Sequence, residues 1–422
     1  MRLLPLPAMA ACLLIAAGLS HAGEPEGSSL TLAGAVDRAL RQRPELTGFQ
    51  FTRLVQNAKQ LEAGRKPLPQ VELLVEDVAG TGMRSGVDSA QTSLVLSQVI
   101  ELGEKREGRK GVVQADSERA RNEHAARQLD VVAEVARRFT AVLEGQLRYD
   151  IAVEAVRIAE DAQSKVEERV KASRSPPAEA ARAGVELWDT RLLLEDADHE
   201  LEIARHFLAA AMGEDQVRFG RAAGDLMALP PVESFQSLVA RLPLTPELLQ
   251  FANEERVRDA ELRLAEMQRR ADPRVTLGTR HYGDGDDVAL VAGVTIPLFA
   301  GRNAQPTLDR LRAQRELAGT GREAQRLRLQ AQLFSELTQM QHEEGLSRTL
   351  QQELLPLLGT ALEQAAYAYE RGRFSHLEWT VAQRQLLEGR LRLLESAGRF
   401  HILRIEIERL TGMGLEPAGE AK

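Results

Sequence analysis

The sequence predicts a mainly α-helical chain with a small β portion of membrane type, built twice from one unit: a helix, two strands and two long helices. Three observations carry this expectation. Apolar residues at heptad spacing run through two very long uninterrupted stretches, 103–172 and 302–371. Short segments of alternating character occur in pairs. Matching residues also recur in the same order in both halves, and a repeat has to be recognised before any fold is assigned.

The repeat is carried by Pro-Glu-Leu at 44–46 and again at 246–248, and by Pro69 and Pro273 before apolar runs. Near the end of each half, Arg174/Arg373, Glu179/Glu378, Leu187/Leu386 and Gly213/Gly412 all stand 199 apart. The expected organisation is a leader at 1–22, a first repeat at 23–219, a connection rich in Gly and Pro at 220–243, a second repeat at 244–413 and a tail at 414–422.

Within the first repeat, Leu32, Val36 and Ala39 share one face of a helix at 31–42. Pro44 interrupts it, because the residue before a proline avoids the α region. A helix resumes over 45–65 and stops at Lys66-Pro67-Leu68-Pro69. Strands are expected at 71–79 and 91–100, joined by a Gly/Ser/Asp-rich stretch. A rod at 103–172 follows, long enough to span about 100 Å at ~1.5 Å per residue. The turn Ser173-Arg174-Ser175-Pro176-Pro177 breaks it, and a helix at 178–212 returns. The second repeat gives a helix at 246–270, strands at 274–282 and 288–298, a rod at 302–371 and a helix at 376–412.

Val132, Val135, Phe139, Val142, Gln146, Tyr149, Val153 and Val156 form one stripe on the first rod; Leu350, Leu354, Leu357 and Ala361 form one on the second. The spacing fits an antiparallel coiled coil and the wall of a wide tube equally well. The strands favour the tube. Val288, Leu290, Ala292, Val294 and Ile296 alternate with small or polar residues, and Leu94 and Leu96 oppose Ser93 and Ser97. Leu94, Leu96, Val288, Leu290, Val294 and Ile296 are the expected lipid-facing residues, on strands of the ~9–11 residues that cross a bilayer. A small soluble sheet at the end of a coiled coil is the alternative. Four strands cannot close a barrel, since a small one already takes about eight, so a membrane role requires several copies.

Composition narrows function by exclusion. The 422 residues are 43% hydrophobic and 27% charged, too apolar for a disordered chain. With 54 Lys+Arg against 62 Asp+Glu and a formal charge of -8, the chain is unsuited to general nucleic-acid binding. Residues 1–22 read as a secretory signal: Arg2, an apolar run through Leu19, then Ser20-His21-Ala22 as the cleavage site. An uncleaved anchor and lipidation at Cys12 are the alternatives. Cleavage after Ala22 leaves no cysteine, which excludes thiolate chemistry.

No catalytic, cofactor or metal site is expected. Glycines do not open a helix in a phosphate-binding pattern. His199 and His206 are seven apart, too far for one ion without a third ligand, and Asp284, Asp286 and Asp287 lack calcium-loop spacing. The helix-to-helix turns remain. Gly372 supplies a positive φ. Ser375 and Glu378 have the spacing of a capping box.

The ordered motifs resemble the TolC-like outer-membrane factor family, and most of all its heavy-metal-efflux (CzcC-like) branch. They are Ala39-Leu40…Arg43-Pro44-Glu45-Leu46, Ser97-Gln98-Val99-Ile100-Glu101-Leu102-Gly103-Glu104-Lys105-Arg106, Thr295-Ile296-Pro297-Leu298-Phe299, and Tyr369-Glu370-Arg371-Gly372-Arg373-Phe374-Ser375-His376-Leu377-Glu378 with Ala382-Gln383. They span nearly all of 30–413. Ser173-Arg174-Ser175-Pro176-Pro177 departs from the pattern by lacking its glycine, so a different turn is expected there. The resemblance implies a homotrimer in the outer membrane, with one twelve-stranded β-barrel and a periplasmic α-helical barrel. It implies a non-enzymatic export duct for heavy-metal cations or other small toxic compounds. The implied partners are a periplasmic adaptor, an inner-membrane pump of the proton-driven RND type and outer-membrane lipid, with no nucleic acid. The adaptor-facing tips would be Ser173, Arg174, Ser175 and Pro176, and Arg371, Gly372, Arg373, Phe374 and Ser375. A duct for type I protein secretion shares the fold. A soluble periplasmic coiled-coil adaptor is the reading from another class.

Overall fold

The computed structural model describes residues 29–84, 86–285 and 287–412, with Met83 described in its backbone only. The expected leader with Cys12, the tail at 414–422 and Asp286 lie outside the described residues.

Strand β1 (Leu30–Thr31) runs into helix α1 (Leu32–Gln42), which Thr31 caps by accepting from the Gly34 N–H at 3.2 Å. Pro44 opens α2 (Pro44–Thr47), and α3 (Phe49–Ala63) leads to the first strand pair, β2 (Gln70–Glu76) and β3 (Gln91–Val99). Helix α4 (Lys105–Lys171) is the first rod, and α5 (Pro177–Met212) returns along it. The connection holds β4 (Ala222–Ala223), parallel to β1, and α6 (Phe235–Val239). Helix α7 (Pro246–Gln268), strands β5 (Arg274–Tyr282) and β6 (Asp287–Thr295), then α8 (Ala300–Thr349), α9 (Leu355–Glu370) and α10 (His376–Thr411) repeat the plan. Helices α5 and α10 each have 36 residues and each ends on a left-handed glycine, Gly213 and Gly412, as their repeat positions require.

The second rod is not one regular helix. A π-helical turn at Leu350–Leu354 separates α8 from α9. A π turn inserts an extra residue and so rotates the buried face. The expected stripe fails there: Leu350 is buried, but Leu357 is 67% exposed and Ala361 is exposed. The inward line moves to Leu358, Leu362, Ala365 and Tyr369. On α4 the stripe holds from Val135 through Gln146 and then drifts. Val153 is exposed while Ala152 and Ala159 are buried, the drift of a straight 3.6-residue helix against a 3.5-residue repeat. Gln146, the one polar member, exchanges two hydrogen bonds with the backbone of Ala222, at 3.1 and 2.8 Å. That pairing satisfies a buried amide and ties the rod to the connection.

The four strands form one antiparallel sheet in the order β2-β3-β5-β6. The β3–β5 pairing joins the two halves, with Leu94 opposite both Leu73 and Thr279. Strand β2 stops at Glu76 rather than at 79. Strand β6 stops at Thr295, so Ile296 is exposed but lies just outside the strand, because Pro297 cannot donate to a ladder. The outer edges of β2 and β6 pair with nothing among the described residues. Two cores hold the middle of the molecule, one around Phe139, Leu208 and Met212, the other around Leu333, Phe400 and Leu410.

Candidate functional site: the paired hairpin tips and the apolar sheet face

At the far end of the rods the two hairpins meet. Helices α4, α5, α9 and α10 bury Val166, Ala183, Ala365, Tyr369, Trp379 and Ala382 together. The two turns beneath this cluster close in the same way. Ser173 (φ 56°) donates to the Val170 carbonyl at 2.9 Å and Arg174 to the Arg169 carbonyl at 2.8 Å. Gly372 (φ 69°) donates to the Tyr369 carbonyl and Arg373 to the Ala368 carbonyl, both at 2.9 Å. Both are left-handed helix ends of Schellman type. The different turn expected at 173–177 is therefore corrected. Ser173 adopts the conformation of its repeat partner Gly372, at the steric cost a Cβ incurs there.

The returning helices start differently. Glu378 completes the expected capping box, its carboxylate accepting from the Ser375 N–H at 2.7 Å and the Ser375 hydroxyl at 3.0 Å. In the first tip Pro176 stands where Ser375 does, with Pro177 as the first helical residue, so a proline start replaces the box. Its carboxylate counterpart, Glu179, accepts instead from the Tyr369 hydroxyl of the other hairpin at 3.2 Å.

Arg169 joins the two tips. Its Nη1 donates to the carbonyls of Tyr369 and Glu370, both at 3.0 Å, and its Nε donates to the Ser175 hydroxyl at 3.2 Å. The guanidinium lies 4.7 Å from the centre of the Tyr369 ring. One side chain thus caps the open carbonyl end of α9 from the neighbouring hairpin, where a cation is favoured by the helix dipole. Lys165 adds an ion pair with Glu370 at 3.4 Å and lies over Trp379. Arg384 pairs with Glu186 at 3.0 Å, again across hairpins. Burial pushes the Tyr369 phenol up from its ordinary value, and Glu179 adds to this while Ser175 and Arg169 oppose it. Burial holds the His376 imidazole down, with Arg182 assisting and Glu179 and Glu186 opposing.

All nine expected tip residues lie in or beside these two turns. Sequence reasoning missed Arg169, Lys165, Glu179 and Trp379 as the groups that connect them. Only the Glu179/Glu378 alignment hinted at a shared role, and it gave no sign that Glu179 faces the other hairpin.

At the opposite end, residues paired across antiparallel strands share a face. One face of the sheet carries Val71, Leu73, Val75, Leu94, Leu96, Val275, Leu277, Val288, Leu290 and Val294, every one exposed. Leu290 is 82% exposed. The other face is mixed, with Leu74, Val95, Val99 and Val291 beside most of the sheet's charged and amide side chains. Arg280 donates to Ser93, Gln91 and Glu76, and Arg274 donates to Gln70 and Ser97. Of the six expected apolar positions, all but Ile296 lie on the apolar face. No helix among the described residues is long and apolar enough to cross a membrane, and no group of three or more His, Cys, Asp or Glu among them is placed to hold a metal ion.

This arrangement, two long helical hairpins carrying a four-stranded open sheet, is the fold of the outer-membrane channels. The chain superposes on CusC with a TM-score of 0.73, covering 91% of this chain and 92% of that one at 17% identity, in a structure described as showing transmembrane channel formation. It superposes on the outer membrane protein VceC of Vibrio cholerae with a TM-score of 0.70, covering 91% and 97% at 14% identity. The Neisseria gonorrhoeae MtrE outer membrane channel in its open state gives 0.72, covering 92% and 90% at 13% identity. In sequence the chain is 29% identical over 346 residues to the cobalt-zinc-cadmium resistance protein CzcC of Cupriavidus metallidurans, covering 82% of this chain and 81% of CzcC. The resemblance to a CzcC-like outer-membrane efflux factor is thereby borne out. No family model matches the chain.

Proposed function

We propose that this protein is the outer-membrane duct of a tripartite efflux system, that it exports heavy-metal cations, and that it works as a homotrimer. The observation that carries the reading is the open sheet. Its exposed apolar face is shaped for lipid, and its two unpaired edges leave one third of a twelve-stranded barrel waiting for copies on both sides. Strand directions alternate throughout, so β6 of one copy meets β2 of the next antiparallel, and the ring closes by head-to-tail contacts. The similarity to CzcC supports metal cations as the cargo.

Transport through such a duct is gated diffusion without catalysis. The tips offer an end-on surface for a periplasmic adaptor, which would couple the duct to a proton-driven inner-membrane pump. Arg169 holds the hairpins side by side, and adaptor contact with 173–176 and 371–375 would release them. A deletion strain challenged with cobalt, zinc and cadmium salts tests the cargo. Hypersensitivity restored by the intact gene is expected; unchanged metal tolerance with hypersensitivity to organic toxicants would reject metal export.

A further inference from the structure

Charge is distributed unevenly along the sheet. The loop end carries Glu76, Asp77, Asp88, Asp284 and Asp287 against Arg84 and Arg280. The helix end is the reverse. Arg65 and Lys66 lie between α3 and β2, Arg269 and Arg270 between α7 and β5, and Arg302 in the first turn of α8. All five side chains are exposed, and none forms an ion pair among the described residues. The nearby carboxylates Glu101 and Asp272 are already held by Arg109 and Lys105. Glu62, Glu104 and Glu266 are exposed at this level and also lack ion pairs among the described residues, so the five cations leave a net excess of two unpaired positive charges per chain at one level of the molecule.

The same level exposes large apolar side chains beyond the strand ends. Leu68 is 79% exposed, Leu298 73% and Phe299 72%, with Ile100, Leu102 and Ile296 also exposed. They extend exposed apolar surface beyond the strand ends to the level of the cations. A band of apolar residues that gives way to an aromatic residue and then to unpaired Arg and Lys matches the transition from acyl chains to headgroups.

We infer that this collar binds anionic phospholipid headgroups of the periplasmic leaflet, with Arg65, Lys66, Arg269, Arg270 and Arg302 engaging the phosphodiester oxygens. Guanidinium suits this role because it donates two parallel hydrogen bonds to phosphate. The collar fixes the depth of the barrel and sets which lipids surround it. The inference rests on the membrane reading of the sheet.

The test is flotation of the full-length purified protein with vesicles of neutral phosphatidylcholine alone, or with 30% phosphatidylglycerol. The intact protein should float with both and favour the anionic vesicles by about ten-fold or more, since several cations act together near the surface. The variant carrying Arg65→Gln, Lys66→Gln, Arg269→Gln, Arg270→Gln and Arg302→Gln should still float but lose the preference. Its Arg→Lys counterpart should keep most of it, which separates charge from misfolding. Equal flotation of the intact protein with both vesicles overturns the headgroup inference alone. Failure to float with either overturns the membrane reading beneath it.

Discussion

The two hairpin tips descend from one sequence pattern, reach one backbone geometry and divide their side-chain roles. The second tip follows the rules of helix ends: glycine at the left-handed position, and Ser375 with Glu378 at the start of the return helix. The first tip departs from both. Ser173 occupies the left-handed position at a steric cost, and prolines replace the cap. Those departures free Glu179 and Ser175, and both reach the residues that connect the hairpins, Tyr369 and Arg169. The second tip thus caps the start of its returning helix locally, while the first supplies the side chains that hold the end of α9 in its neighbour.

Substitutions rank this comparison. Trp379→Ala should have the largest effect. It empties the buried centre shared by both hairpins, at about 3–5 kcal/mol, and should appear as a lower thermal midpoint of the purified protein. Arg169→Ala should come next. It removes two bonds to helix-end carbonyls and one to Ser175, but the side chain is partly exposed and water replaces much of the loss, so the net cost should be about 1–3 kcal/mol. Hydrogen exchange should accelerate at both tips, and cells should become permeable to bulky antibiotics. Arg169→Lys should not restore protection, because an ammonium lacks the planar fork.

Gly372→Ala should destabilise by about 1–2 kcal/mol, while Ser173→Gly at the equivalent position should stabilise by a comparable or smaller amount. Opposite signs at positions 199 apart would confirm that one turn serves both tips. A Gly372→Ala variant as stable as the parent would break that equivalence.

The smallest effect concerns pH. His376 is buried and its folded pKa lies below the unfolded value, so the unfolded chain binds the proton more readily. The stability from neutral His376 is complete above the unfolded pKa of roughly 6.5 and declines as pH falls toward the folded pKa. Hydrogen exchange at the second tip should therefore rise in mild acid, and His376→Gln should flatten that dependence.

Much of this architecture was legible in the residues. Helix ends declare themselves locally: Pro44, Pro246, Gly213, Gly412 and the Ser375–Glu378 pair each mark a boundary within a residue or two. Strand alternation put five of the six apolar positions together on one exposed face of the sheet. What stayed hidden is non-local. Nothing near Gln146 announces the backbone of Ala222, and no periodic pattern reveals a π turn that moves Leu357 off the seam. Arg169 escaped notice for the same reason. Its partners are two backbone carbonyls some 200 residues away, and backbone leaves no mark on sequence.

The central claim is that one chain supplies four strands of a barrel completed by two further copies. Light scattering on the detergent-solubilised, full-length protein measures this most directly, once the detergent mass is subtracted. Three chains per particle is the predicted result. A stable, fully folded single chain, with both edges of the sheet open, would contradict it.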